Sequence, residues 1–320
     1  MNAAMYIFCM LIWGLNFIAV KIQGESVSLE VALLYRSMIA LVLFSVLLWV
    51  LRQRIALNNV NWLTVIGFGL CNFTVSYLLL YYGTFYSTAA IVTLIFSMKS
   101  ILTPVFISIV FKKSIAPKIY IGGFLGILSV MVILYPDLNH LSSQFITGIV
   151  MAIFGTIITS VGDVLSLFNS NRGTHPVLAN TFGMAGAVLF LLFYTLIQGQ
   201  HYTVPTDVNF WIGLLYLSVL ASFLAWLFYL KLIQNIGASE SSYMVAMFPA
   251  IGGIASVLLG ESQLSMSLVL GIFLACFGAY LALRKKDVSN SYQHLTYVST
   301  YNDRKGFALR KASGELLFNH

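Results

Sequence analysis

The chain has 320 residues, of which 59% are hydrophobic and 8% are charged. A soluble domain carries roughly 25% charged residues, so this composition excludes an ordinary soluble domain. The formal net charge of +7 is compatible with an anionic partner such as nucleic acid. The positions of the basic residues exclude that partner, because they follow the sidedness of a membrane protein.

Apolar runs along the chain repeatedly reach the length of about 20 residues that a helix needs to cross a bilayer. The lipid bilayer is therefore an expected partner. The first run has no basic stretch before it and no small-residue cleavage site after it, so we expect it to remain as a helix. The runs predict ten transmembrane helices at approximately 3–20, 29–51, 62–82, 87–111, 119–135, 145–168, 177–197, 210–230, 240–259 and 265–283.

Basic residues gather on one side of the predicted membrane. If the N-terminus is cytoplasmic, the opposite side carries Lys21 alone among the loops and helix ends. The positive-inside rule then predicts a multi-pass protein of the cell inner membrane with both termini in the cytoplasm. The cytoplasmic loops and helix ends carry Arg52, Arg54, Lys112, Lys113, Lys118, Arg172, Lys231, Arg284, Lys285 and Lys286.

Two similar halves follow from the helix count. Since each half has five helices, the second half enters the membrane from the opposite side to the first. The expected fold is an all-α membrane protein with ten transmembrane helices arranged as two inverted five-helix repeats. The first repeat spans 1–137 and the second spans 145–284. A polar stretch without apolar periodicity at 285–320 is predicted to be a disordered cytoplasmic tail.

Weak sequence similarities between the two halves support the duplication. Pro104 in SMKSILTPVF has a counterpart in Pro249 of SYMVAMFPAI. Each half then ends on a glycine-bearing helix, with GGFLG at 122–126 and GIFLACFG at 271–278. Small residues let helices approach closely in lipid. The alternative is that glycine and proline are simply frequent in membrane helices.

Several motifs together resemble a known family. They are WGLNFIAVK at 13–21, the arginine of YRSMIA at 35–40, the two prolines, and LLGESQLSMSLVLGIFLACFGAYL at 258–281. In these residues the chain resembles the drug/metabolite transporter superfamily, in its ten-helix branch with two EamA-type repeats. The resemblance implies that a small-molecule substrate moves through a central cavity by alternating access. Such movement is usually export of amino acids or other metabolites from a bacterial cell.

Glu261 matches a glutamate of that family in the second repeat only. The first repeat has Lys112 or Lys113 at the corresponding position. Because the inverted topology puts the two positions on opposite faces of the membrane, we interpret Glu261 as a structural charge at a helix end.

Lys99 is the most informative ionisable residue, because it lies near the middle of the helix predicted at 87–111. It is too deep to reach water easily, so we expect it to face a polar cavity. There it could hold a substrate carboxylate, or lose its proton and take part in coupling. The alternative is a buried ion pair with Asp163, strained by a difference in depth of about 5–10 Å.

Two further charges lie within predicted helices. Asp163 is the acid farthest from a helix end, which makes it the candidate for proton coupling. Arg36 is in the outer half of its helix, where it can reach the headgroups by snorkelling. We interpret Arg36 as a structural charge, either in a stabilising pair or as an interfacial anchor.

Six polar or aromatic residues are candidates for lining the cavity, since an apolar body with a polar tip suits an organic substrate. The alternative for each aromatic residue is packing or a place in the interfacial belt. The candidates are Trp13, Asn16, Asn72, Tyr77, Trp226 and Tyr229.

The sequence predicts neither an enzyme nor a bound cofactor or metal. All five histidines fall in predicted loops or the tail, and no phosphate-binding glycine loop with its lysine is present. Energy would then come from a gradient of protons or of a counter-substrate. The leading prediction is a secondary transporter that exports an amino acid or similar metabolite. Alternatives are an importer of a vitamin or nucleoside-like compound, a multidrug exporter, and a non-transporting membrane scaffold or enzyme.

Overall fold

Because lipid offers no hydrogen-bond partners, a segment that crosses it must pair its backbone internally, and a helix does so. The computed structural model describes residues 2–24, 26–51, 60–112, 117–135, 142–236, 241, 243–260 and 263–283, with two short strands beyond them. Within these ranges the chain forms ten helices. They are α1 (Asn2–Gly14 and Asn16–Gln23), α2 (Leu29–Leu51), α3 (Trp62–Tyr86), α4 (Ala89–Phe111), α5 (Pro117–Leu134), α6 (Ser143–Asn171), α7 (Pro176–Ile197), α8 (Val208–Leu215, Tyr216–Leu224 and Ala225–Ile236), α9 (Tyr243–Met247 and Phe248–Leu258) and α10 (Met266–Leu283).

The lengths of these helices match a membrane protein. Among the described residues, α2, α3, α4, α6, α7 and α8 are each long and apolar enough to cross a bilayer, and bent α1 makes a seventh span. Shorter apolar stretches lie in α5, α9 and α10, at Tyr120–Ile133, Met244–Leu258 and Met266–Gly278. The predicted all-α fold of ten helices in two sets of five is confirmed.

Side chains at the loop ends determine where several helices begin. Each of these side chains accepts a hydrogen bond from one of the first backbone N–H groups of the helix, which otherwise lack partners. The capping residues are Asn61 for α3, Thr88 for α4, Ser142 for α6, His175 for α7 and Asp207 for α8.

Four helices are irregular near their middle, where the sequence predicted continuous helices. Helix α1 bends by 42° at Leu15. Helix α4 is interrupted at Met98, whose N–H bonds the carbonyl of Ile95 rather than a residue four positions earlier. Helices α3 and α8 each contain a wider, π-helical stretch, at Leu70–Val75 and Tyr216–Leu224. These irregular segments lie at corresponding places in the two halves, since α3 and α8 are the third helix of each repeat.

Helix packing repeats between the halves. Helix α3 packs against α6 and α7, and in the same way α8 packs against α1 and α2. Other extensive pairs also join one half to the other: α1 with α9, α2 with α7, α4 with α6 and α9, and α5 with α10. This is the pattern expected of two inverted repeats that meet along a pseudo-two-fold axis.

Glycines allow the closest helix contacts. A Cβ on Gly69 of α3 would lie 2.0 Å from the carbonyl oxygen of Gly183 of α7. Between α5 and α10, a Cβ on Gly278 would lie 2.7 Å from the Cβ of Leu125 and 3.0 Å from the carbonyl oxygen of Gly122. The glycine-bearing helices that end the two repeats therefore pack against each other.

The compact helical unit ends at Leu283. Beyond it the structure describes only Leu309–Arg310 and Leu316–Leu317, which pair as antiparallel strands with Leu309 opposite Leu317. Most of the predicted disordered tail at 285–320 lies outside the described residues, as does Glu261.

Candidate substrate cavity

A central cavity lies between helices of both halves. The first repeat contributes α1, α3 and α4 to the wall, and the second contributes α6, α8 and α9. The lining residues are Trp13, Asn16, Phe17, Tyr77, Leu80, Phe96, Lys99, Thr159, Trp226, Tyr229, Val245 and Phe248.

Three aromatic rings form one wall of the cavity. The ring of Trp13 lies 5.4 Å from that of Trp226 and 5.1 Å from that of Tyr229, in edge-to-face contacts. The indole N–H of Trp13 donates to the carbonyl of Ala221 at 2.9 Å. Ala221 lies in the π-helical stretch of α8. A backbone carbonyl of this irregular segment therefore anchors the wall.

Lys99 lies on the cavity wall and forms an ion pair with Asp163 of α6, with 3.0 Å between Nζ and Oδ2. Asp163 also accepts a hydrogen bond from Thr103 at 3.2 Å. Lys99 further lies 5.5 Å from the centre of the Phe96 ring. From sequence, a position on the cavity wall and an ion pair with Asp163 were alternatives for Lys99. In the structure Lys99 has both. The expected difference in depth does not prevent direct contact.

Arg36 is buried, with 1% of its surface exposed. Its Nε donates to Ser222 Oγ at 2.8 Å, and its two terminal nitrogens donate to the Tyr81 hydroxyl at 3.3 Å and to Asn16 Oδ1 at 3.4 Å. The Tyr77 ring covers the guanidinium at 4.4 Å. The expected snorkelling to the headgroups is therefore wrong, because partners from α1, α3 and α8 hold this side chain inside the helix bundle.

The structure brings six of the seven predicted cavity residues together: Trp13, Asn16, Tyr77, Lys99, Trp226 and Tyr229. Asn72 is not among the residues that line this cavity. Its Oδ1 accepts a hydrogen bond from Thr159 at 2.6 Å, and its amide packs on Gly162 at the contact of α3 with α6.

Thr159 is a cavity residue that the sequence reasoning missed. It precedes Asp163 by four positions, so the two residues share one face of α6. That spacing was a usable signal. Phe17, Phe96 and Phe248 carried no such signal, because phenylalanine is abundant throughout the apolar runs.

The described residues contain no group of three or more histidine, cysteine or acidic side chains placed to hold a metal ion. The polar groups of the cavity are instead an ammonium, an amide, hydroxyls and an indole N–H. They are suited to binding an organic molecule through hydrogen bonds and ring contacts.

Comparisons with known proteins agree with this architecture. A protein of Archaeoglobus fulgidus described as an uncharacterized transporter is 22% identical over 274 residues, which cover 86% of this chain and 95% of that protein. A crystal structure with 16% sequence identity shares the fold with a TM-score of 0.64, over 88% of this chain and 96% of the other. The EamA-like transporter family matches twice, at residues 2–135 and 146–284. The chain is a multi-pass membrane transporter and belongs to the EamA-like transporter family.

Proposed function

We propose that this membrane transporter is a secondary transporter that exports an amino acid or a similar small polar metabolite across the bacterial inner membrane. The observation that carries the proposal is the cavity between the two repeats, which is lined by aromatic rings and polar groups. This combination of groups suits a small organic molecule. The basic residues on one side of the predicted membrane support the orientation with cytoplasmic termini.

The lining of the cavity combines the two kinds of group that an amino acid requires. The rings of Trp13, Trp226 and Tyr229 offer an apolar, edge-to-face surface for a side chain. Asn16, Thr159 and Lys99 offer polar atoms on other helices of the same cavity. A substrate with one apolar and one polar end therefore has matching partners.

Alternating access is supported by the repeated packing. In transporters with inverted repeats, the substrate site lies at the repeat interface and one half rocks against the other. Here α4 packs against α9 across the interface, and the cavity lies beside this pair. The irregular segments of α3 and α8 are at corresponding places, so each half has the same deformable element.

Asp163 is the proposed coupling residue. A carboxylate holds Lys99 at 3.0 Å, and a proton on that carboxylate removes the opposite charge. Lys99 is then released toward the cavity that it already lines. Because protonation of Asp163 changes the charge at the cavity wall, a proton gradient can drive export. A counter-substrate gradient is the alternative source of energy.

The test is counterflow in proteoliposomes with labelled amino acids, nucleosides and cationic dyes. We expect an amino acid to exchange, and Lys99→Ala to reduce its exchange by about tenfold or more. Lys231→Ala, an exposed lysine of α8, is the matched control. Exchange of nucleosides or dyes alone would favour an importer of nucleoside-like compounds or a drug exporter. Exchange of no compound in the panel would contradict the proposal.

Coupling requires a separate measurement. An imposed proton gradient should drive accumulation of the exchanged amino acid in the wild type. Asp163→Asn lowers the stability of the protein, but the fraction that folds and is reconstituted should retain counterflow, which needs no driving force, and lose the response to the gradient. If Asp163→Asn still accumulates substrate against its gradient, the coupling does not depend on this carboxylate.

A further inference from the structure

Three charged side chains lie at or near the cavity: Lys99, Asp163 and Arg36. Only the charges of Lys99 and Asp163 balance each other. Lys99 and Asp163 are paired at 3.0 Å. The three hydrogen bonds of Arg36 all go to uncharged oxygens, those of Ser222, Tyr81 and Asn16. Within the described part of the chain, no carboxylate contacts Arg36. One buried positive charge is therefore left without an opposite charge.

The other acidic side chains that the structure describes are engaged elsewhere. Glu30, at the start of α2, accepts a hydrogen bond from the Tyr82 hydroxyl. Asp207 caps α8 by accepting from the N–H of Asn209. A buried charge inside a membrane is costly unless a partner compensates it. None of the acidic residues that the structure describes supplies that partner, and a ligand in the adjacent cavity would supply it.

Asn16 and Tyr77 separate Arg36 from the cavity, and both line it. An arginine only donates hydrogen bonds, so Asn16 must present its oxygen to Arg36. Its Nδ2 group is then left to donate elsewhere, and none of the described protein atoms accepts from it. The cavity wall here consists of an amide N–H donor with a cation directly behind it.

We propose that the substrate carries a carboxylate, and that this carboxylate binds beside Asn16 in the field of Arg36. The proposal rests on the transport function above and specifies its substrate class. It assigns the anion to Arg36 rather than to Lys99, whose charge Asp163 already balances. The rings of Trp13, Trp226 and Tyr229 then receive the rest of the molecule.

Matched compounds test the charge requirement in the wild-type protein. Leucine, glutamine and phenylalanine are each compared with the corresponding amide and decarboxylated amine. Binding is measured as ligand-induced thermal stabilisation in detergent, and transport as competition in counterflow. We expect at least one acid to bind about tenfold or more tightly than its own amide and amine. Equal stabilisation by acid and amide, or no stabilisation by any acid, overturns the proposal.

Asn16→Asp is the decisive variant, because it gives Arg36 a carboxylate of nearly the same shape and size. The internal carboxylate takes the place of the substrate's carboxylate. We expect affinity for the acid to fall by about tenfold or more and affinity for the amide to stay within about twofold. Asn16→Ser is the uncharged control, and it should retain the preference for the acid. An Asn16→Asp protein that still prefers the acid overturns the proposal.

Arg36 itself provides a second test. Arg36→Lys keeps the charge and should keep the preference for the acid, whereas Arg36→Gln should lose it. A purely structural role would lower binding of acid and amide together and leave their ratio unchanged, which would contradict the proposal. Should Arg36→Gln fail to fold, the Asn16→Asp comparison decides alone.

These outcomes separate the inference from the proposed function. If amino acids exchange in counterflow but the acid preference is absent or survives Asn16→Asp, the inference fails and the transport function stands. If acids bind with the expected preference but none exchanges, the export function fails and the carboxylate site stands.

Discussion

Lys99 and Asp163 form an ion pair at 3.0 Å that joins α4 to α6 at the wall of the cavity. The two side chains expose only 11% and 13% of their surface. Helix α4 belongs to the first repeat and α6 to the second, so this ion pair also connects the two halves. Any movement of one half against the other changes the environment of this pair.

Removing one member of the pair should destabilise the protein strongly. Lys99→Met or Asp163→Asn leaves a largely buried charge without its partner, which typically costs about 3–5 kcal/mol. The double variant removes both charges and should recover most of that loss. A double-mutant cycle of unfolding in detergent checks this. Additive losses would show that the two side chains contribute independently.

The contact of Gly69 with Gly183 should not tolerate a methyl group. A Cβ on Gly69 would overlap the Gly183 carbonyl oxygen at 2.0 Å, and backbone atoms cannot give way locally. We expect Gly69→Ala to lower the melting temperature strongly or to prevent folding. Gly126→Ala is the matched control, because its nearest neighbour is 3.8 Å away. Size-exclusion and thermal unfolding profiles of the two variants should therefore differ clearly, and similar profiles would refute the tight contact.

Two buried threonines should respond oppositely to replacement by valine. The hydroxyl of Thr159 donates to Asn72, so Thr159→Val should cost about 1–3 kcal/mol of unfolding free energy. The hydroxyl of Thr74 is buried and has no hydrogen-bond partner among the described residues. Thr74→Val should therefore be neutral or stabilising. Denaturation of both variants under one condition compares them, and a loss at Thr74 as large as that at Thr159 would contradict the assignment.

His175 should make the stability of the protein depend on pH. Burial lowers its pKa below the ordinary value of 6.5. The unfolded chain then binds a proton that the folded chain does not, so stability should fall as pH falls below about 6.5. Protonation also removes the Nδ1 acceptor that caps α7 through the N–H of Val177. Melting temperatures across pH 5–8 measure the effect. His175→Asn, which keeps a capping group that does not titrate, should flatten the profile.

The helices were predictable from sequence because bilayer thickness requires long apolar runs, and loops interrupt them. The bend at Leu15 and the interruption at Met98 were not predictable in the same way. Gly14, immediately before Leu15, permits a bend but does not require one, and Met98 has no glycine or proline next to it. The backbone there adapts to contacts with distant helices.

The cavity was partly predictable from residue type. Lys99, Asn16 and Trp13 were predicted to line a cavity because polar or amphipathic groups are unusual deep inside a membrane helix. The surroundings of Arg36 were not predictable, because its partners Asn16, Tyr81 and Ser222 come from three different helices. Hydropathy does not determine how a helix is rotated when nearly every face is apolar.

The π-helical stretches Leu70–Val75 and Tyr216–Leu224 also affect how sequences of this type should be aligned. Each stretch holds more residues per turn than a regular α-helix. Deleting one residue there would restore a regular helix and leave the following residues close to their present orientation, because the wider turn already accommodates the extra residue. In α3, Tyr77 would then still face the cavity. A one-residue gap in this segment of a related sequence therefore signals a change in the helical turn itself, and the binding residues beyond it should still be aligned with those of this chain.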